Sequence, residues 1–208
     1  MKEIVTTIFP SPLIHLADIG LDPTNLQKIV SEIPFYATGK NRDEGTYISQ
    51  DQYLLNNLPE EKEHFLKIFN SIKNYHLKYE NTEFKITTSW ATCKKPGYPI
   101  SNYHCHKNSM FSAVYYLGDD PEEYLTPLLF ENFQSPNCFQ VTPSEYNLVN
   151  STQWVVSPRA GELIIFPSYL YHAIGTSENT NNRHSIAMNF FPVGEIGTED
   201  SRISVSLN

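Results

Sequence analysis

The side chains best suited to chemistry begin with two histidines one residue apart, His104-Cys105-His106. In extended backbone successive side chains alternate faces, so both imidazoles project to the same side. A second segment, Gly161-Glu162-Leu163-Ile164-Ile165-Phe166-Pro167, runs on to His172 and supplies a third imidazole. Neutral imidazole is a good ligand for iron, zinc and other borderline metals, and three such groups leave coordination positions open for substrate or oxygen. A single histidine in a strand is more often a hydrogen-bonded core or surface residue. Two at period two, with a third just after an apolar strand, make a stronger pattern. The competing reading, in which His104 and His106 lie on a polar outer face, carries less weight because His172 has its own strand–Pro–His context.

Arg183 heads a third segment, Arg183-His184-Ser185-Ile186-Ala187-Met188-Asn189. An arginine at the start of an apolar strand is usually a solvated end. Its same-face neighbours say otherwise, because Ser185, Ala187 and Asn189 are small or polar while His184, Ile186, Met188 and Phe190 are bulky. A small-lined face ending in a guanidinium can hold a carboxylate through bidentate hydrogen bonds, with Ser185 adding a hydroxyl. Asn102 and Asn189 are further candidates to line the substrate side. Trp90 reads first as a core residue and second as a wall of the substrate pocket.

These groups need a scaffold of strands. Ile8 to Ile14, interrupted by Pro10 and Pro12, reads as an opening edge strand. Asp22-Pro23 starts a helix, with Leu26, Ile29, Val30 and Ile33 at helical spacing up to Pro34. Residues 37–58 form a polar loop with a short strand near Thr46-Tyr47-Ile48, and Pro59 opens a helix reaching about Tyr79, with Phe65, Leu66, Phe69 and Ile72 as its apolar stripe. His64 and His76 ride on that helix as structural residues. From Phe84 the pattern becomes strands: 84–90, the stretch of His104 and His106, 111–117, 128–130, 154–156, 163–166 and 183–191, with an edge strand near 202–207. Lys94-Lys95-Pro96-Gly97 reads as a turn, and the polar stretch 131–153 as a long covering loop and candidate lid. Many short strands after one or two helices predict a mainly β barrel or sandwich in a single domain, 1–83 as support and 84–208 as core.

The totals limit the function. The chain has 208 residues, 40% of them apolar, with 13 Tyr and 12 Phe, enough for a real core rich in strand formers. A formal net charge of −8 disfavours generic binding to nucleic acid or to an anionic membrane. Cys93, Cys105 and Cys138 form no CxxC pair and no disulfide framework, so free thiols and a cytoplasmic location are the expectation. No apolar run has the length of a signal peptide core or a membrane span.

Taken in order, His104-x-His106, Val114-Tyr115-Tyr116-Leu117, the stretch from Pro158 to His172 and Arg183-His184-Ser185 resemble the iron(II)- and 2-oxoglutarate-dependent oxygenases. More narrowly, the chain is similar to a family of such oxygenases found in bacteria and phages, in which a Ser-Trp strand, here Ser89-Trp90, precedes an HxH motif. The resemblance spans residues 84–191. It implies a double-stranded β-helix, a jelly-roll barrel of the cupin type, with the metal inside one end. It implies His104, His106 and His172 as the iron(II) ligands and catalytic centre. Tyr116 would then hydrogen-bond the 2-oxoglutarate, and Arg183, helped by Ser185, would clamp its far carboxylate. The reaction implied is oxidative decarboxylation of 2-oxoglutarate with molecular oxygen, coupled to hydroxylation of a small molecule or a protein side chain. The chain departs from the commoner pattern at the second ligand, where His106 stands in place of an Asp or Glu. Glu131 is the nearest carboxylate that could substitute, or else an ordinary acid at a strand end. Two other readings stay open: a cupin-like three-histidine metalloenzyme without 2-oxoglutarate, which would not need Arg183, and a non-catalytic barrel binding module, which would hold no stoichiometric metal.

Overall fold

The computed structural model describes residues 4, 6–7, 9–37, 42–120, 123–132, 142–176 and 179–207. Its strands are β1 (Ile14–Leu16), β2 (Phe35–Tyr36), β3 (Thr46–Ser49), β4 (Glu83–Lys94), β5 (Phe111–Leu117), β6 (Leu128–Glu131), β7 (Gln153–Val156), β8 (Leu163–Pro167), β9 (Tyr171–Ile174), β10 (Arg183–Ile196) and β11 (Ile203–Val205). Two helices, α1 (Pro23–Ser31) and α2 (Pro59–Ile72), precede the long strands. Asp22 caps α1 by accepting from the amides of Thr24 and Asn25, satisfying donors that the first turn leaves free. After α2 the chain winds one π turn, Lys73–Leu77, and stops where Lys78 turns left-handed at φ 59°.

Eight strands form the large sheet in the order β1-β8-β5-β10-β4-β3-β2, with β11 on the far end of β10. The small sheet is β7-β6-β9. The segment 101–106 runs beside β9 without being a regular strand, contrary to expectation. Backbone bonds join His104 N to His172 O (3.0 Å) and His172 N to His104 O (2.9 Å), and His106 N donates to Ser168 O. The two sheets face each other without closing into a continuous barrel. The N-terminal third adds strands as well as helices, with β1 at one edge of the large sheet and β2 and β3 at the other.

Two cores follow from the alternation of side chains. Phe65 and Phe69 of α2 and Leu26 and Val30 of α1 pack on the outer face of the large sheet, against Phe84, Phe111, Tyr115, Ile186, Met188 and Phe190. Phe69 stacks on Phe190 with ring centroids 4.1 Å apart. Between the sheets lie Val114, Tyr116, Leu128, Phe130, Val156, Ile164, Phe166 and Ala187. β5 and β8 are buried on both faces, which is why they read as unbroken apolar runs.

One irregularity decides what β4 shows to the interior. Against β10 its register slips between Asn189 and Phe190, so that Thr88 opposes Asn189 while Ile86 opposes Phe190. The extra residue, Thr87, reverses the parity of the strand. Phe84 and Ile86 therefore face the helices, whereas Thr88, Trp90 and Thr92 face inward with Asn189, Ala187 and Ser185. Strict alternation would have kept Trp90 with Phe84 and Ile86 in the core. Instead it lines the interior cavity.

Candidate metal centre

His104 and His106 come from the 101–106 segment and His172 from β9. Backbone period two aims the first pair to one side, and the pairing of His104 with His172 brings the third alongside. Their ring centroids lie 5.4 Å (His104–His106), 4.5 Å (His104–His172) and 5.0 Å (His106–His172) apart. One ligand nitrogen from each falls within 4.8 Å of the others, and His104, His106 and His172 are the one such group among the described residues. His172 is buried, His106 half-buried and His104 exposed.

Each ring is already held by the nitrogen that would not face a metal. Nδ1 of His104 lies 3.1 Å from Asn102 O, Nδ1 of His172 lies 2.9 Å from Leu170 O, and Nδ1 of His106 lies 2.7 Å from Asn189 Oδ1. An oxygen acceptor fixes the proton on Nδ1 and leaves the Nε2 lone pair free, which is the tautomer a metal needs. Burial keeps the His106 and His172 rings neutral. It pushes His106 down to about 4 and His172 to about 3, and in each case the neighbouring imidazoles add to the shift.

The same cavity, about 840 Å³, holds the predicted carboxylate clamp. That volume lies within the range of small-ligand pockets. Register explains the layout. Ser185 pairs with Tyr116 on one side and Thr92 on the other, Asn189 with Ser112 and Thr88, and Arg183 with Lys94, so all face inward. Arg183 is 2% exposed and its guanidinium lies 4.6 Å over the Tyr116 ring. Its Nε and Nη1, and the Tyr116 hydroxyl, are buried without a hydrogen-bond partner. Burial lowers Arg183 and raises Tyr116 from their ordinary values, each partly offset by the other. Lys94 is fully buried rather than part of an exposed turn; its ammonium donates to the carbonyls of Glu44 and Pro99. Among the described residues no carboxylate forms an ion pair with either cation.

Unpaired buried donors are rare, because each costs the loss of its hydration. A buried guanidinium with two unused N–H groups, beside an unused hydroxyl and the buried Ser185, can hold an anion that the described residues do not supply. Three convergent Nε2 lone pairs and this cradle fit a metal and a dicarboxylate in one cavity.

Glu131 does not join the metal group. It pairs with Tyr171 and Gln153, one step out of phase with the Phe130–His172 pair, and it opens onto a second cavity of about 800 Å³ beside Trp154 and Tyr169. Asn102 and Asn189 both line the main cavity, but Asn189 is spent on His106. That bond was not legible in the sequence, where Asn189 is only a polar residue on a small face. Cys93 and Cys105 are free thiols, Cys93 buried, and neither lines the cavity. Cys138 and the centre of the loop proposed as a lid, 133–141, lie outside the described residues.

The chain is similar in fold to solved double-stranded β-helix oxygenases. An oxidoreductase of the 2OG-Fe(II) oxygenase family from Burkholderia pseudomallei superposes with a TM-score of 0.57 at 13% identity, over 86% of this chain and 83% of that one. HygX from Streptomyces hygroscopicus, solved with nickel, 2-oxoglutarate and hygromycin B, gives 0.58 at 10% identity over 88% and 83%. A prolyl hydroxylase from Trichoplax adhaerens, solved with a hypoxia inducible factor peptide fragment, gives 0.56 at 14% identity over 86% and 83%. No curated protein matches the chain in sequence. The fold is thus the double-stranded β-helix. Residues 88–189 match the family model described as "Putative 2OG-Fe(II) oxygenase". That segment carries a 2OG-Fe(II) oxygenase domain, and enzymes of this kind are oxidoreductases using iron(II) and 2-oxoglutarate.

Proposed function

We propose that His104, His106 and His172 hold iron(II), that Arg183, Ser185 and Tyr116 hold the far carboxylate of 2-oxoglutarate, and that the enzyme hydroxylates a small molecule or a protein side chain. The observation that carries this reading is Arg183, a buried cation with no counter-ion among the described residues, in the cavity of the three imidazoles. Both substrate classes occur among similar folds, hygromycin B in HygX and a peptide in the Trichoplax enzyme. Residues 1–208 act as one domain in this reading. A cytoplasmic location goes with it, supported by the free thiols of Cys93 and Cys105. No helix among the described residues is long and apolar enough to cross a membrane.

When bound, iron(II) supplies the centre at which oxygen reduction and 2-oxoglutarate decarboxylation are coupled to substrate oxidation. The chain's own residues supply position and charge. Three neutral imidazoles bring no negative charge to the ion, so the anionic charge around it comes from the co-substrate. Arg183 fixes the far end of that dianion through its unused N–H donors, with the Ser185 and Tyr116 hydroxyls completing the set. Its stacking on Tyr116 holds the guanidinium plane in place before anything binds. Trp90, 5.4 Å from the His106 ring, walls the metal side. Thr87, Thr88 and Gln52 add neutral polar groups for the oxidised substrate to a cavity wall that also carries Glu44 and Lys107.

Anaerobic titration of the protein with iron(II) and then 2-oxoglutarate tests the assignment. A saturable charge-transfer band is expected in wild type and not in Arg183→Ala at the same concentrations. Equal bands in both proteins would show that 2-oxoglutarate reaches the iron without Arg183, and would overturn the carboxylate clamp.

A further inference from the structure

We infer that Asn189 is the positioning residue that sets the tautomer of His106, and so decides whether the second imidazole can ligate a metal at all. This rests on the metal assignment proposed above and deepens it.

The three Nδ1 bonds are not equivalent. His104 and His172 each donate to a backbone carbonyl two residues earlier, Asn102 O and Leu170 O. Main-chain acceptors of this kind come with the extended backbone and no substitution removes them. For His106 the matching carbonyl is that of His104, and it already accepts from the His172 amide. The second histidine of the pair therefore needs a side chain behind it.

Asn189 supplies that side chain from β10. Its Oδ1 lies 2.7 Å from His106 Nδ1, and its Nδ2 donates to Thr88 Oγ1 at 2.9 Å. Ser112 Oγ donates to the same Oδ1 at 2.8 Å and lies 2.9 Å from His106 Nδ1. These contacts orient the amide, since its NH2 is committed to Thr88 and its oxygen collects the remaining donors. With the oxygen toward His106 the imidazole proton sits on Nδ1 and Nε2 is free. Turned over, the amide would donate to Nδ1, move the proton to Nε2 and close that ligand position. The register slip at Asn189/Phe190 is part of the device, because it brings Thr88 opposite Asn189 on the inward face.

The demand for Asn189 follows from the HxH pattern itself. A carboxylate in the place of His106 needs no tautomer set, whereas an imidazole there does.

The test uses the full chain and cobalt(II) as the metal probe. Long-range nitrogen–proton spectra of the metal-free protein, with His106 identified through His106→Gln, should show Nδ1–H in wild type and Nε2–H in Asn189→Leu. The Kd for cobalt(II) should rise on the order of 10- to 100-fold in Asn189→Leu, as for other outer-shell partners. Asn189→Asp, which keeps an oxygen acceptor, should restore both the tautomer and wild-type or tighter binding. Should Asn189→Leu fail to fold, Thr88→Val releases the amide NH2 and should move the tautomer the same way. Wild-type His106 found as Nε2–H, or a leucine variant with unchanged tautomer and cobalt(II) affinity, would overturn the inference. Failure of the wild type to take up cobalt(II) would instead strike the metal assignment, and the tautomer spectra would still decide the role of Asn189.

Discussion

Strand β10 shows two different surfaces from one run of residues. Toward the helices it presents Ile186, Met188 and Phe190, closed over by Phe69 and its neighbours. Toward the small sheet it presents Arg183, Ser185, Ala187 and Asn189. All of these are buried, so burial does not distinguish the two faces. What differs is whether partners are present. On the helix face each apolar group meets another, whereas the inner face keeps a guanidinium with idle donors. One face holds the fold together and the other lines the cavity of the three imidazoles.

Substitutions should separate the faces. Phe69→Ala, on the helix side, is expected to cost about 3–5 kcal/mol of stability, read by urea unfolding, with cobalt(II) affinity of the folded fraction unchanged. Arg183→Met should do the reverse. Loss of a buried charge partner costs about 2 kcal/mol or more in binding, so 2-oxoglutarate affinity by calorimetry should fall at least about 30-fold. The metal-free variant should be no less stable than wild type, because the residue removed is an unpaired buried charge. A marked loss of stability would mean that Arg183 is structural.

Acid distinguishes the faces by a smaller effect. Unfolded histidines titrate near 6.5, while His106 and His172 are pushed down to about 4 and about 3 in the folded protein. Between those values unfolding takes up protons. Stability of the metal-free protein is therefore full above about pH 6.5 and declines as pH falls, by up to about 1.4 kcal/mol per pH unit for each group. His172→Gln should flatten that slope in urea unfolding followed from neutral pH to about pH 4; parallel slopes would refute it. The mildest change is expected far from either face. Asp22→Ala removes the cap of α1 and should cost about 1 kcal/mol without altering metal or co-substrate binding.

Much of the site was legible because strands have a short period. His104 and His106 had to share a side, and Ser185, Ala187 and Asn189 had to share one with Arg183, whatever the sheet order. The cap at Asp22 and the apolar stripe of α2 are equally local. Trp90 both packs on the core between the sheets and walls the cavity. The sequence could not choose between these readings because one bulged residue, Thr87, reverses alternation and leaves no mark in composition. Lys94 looked like part of a turn because the carbonyls that receive its ammonium, Glu44 and Pro99, meet only in the folded chain. Glu131 could be set aside only once its register with Tyr171 turned it outward.

Residue types and spacings by themselves determined that this chain carries three imidazoles able to ligate and a guanidinium on a small-lined face, since both depend on backbone periods that hold over a few residues. The tertiary structure alone decided that these groups share one cavity, that Arg183 has no counter-ion among the described residues, and that Asn189 stands behind His106. Those facts depend on which strands pair and in what register, and pairing is set by the packing of both cores at once.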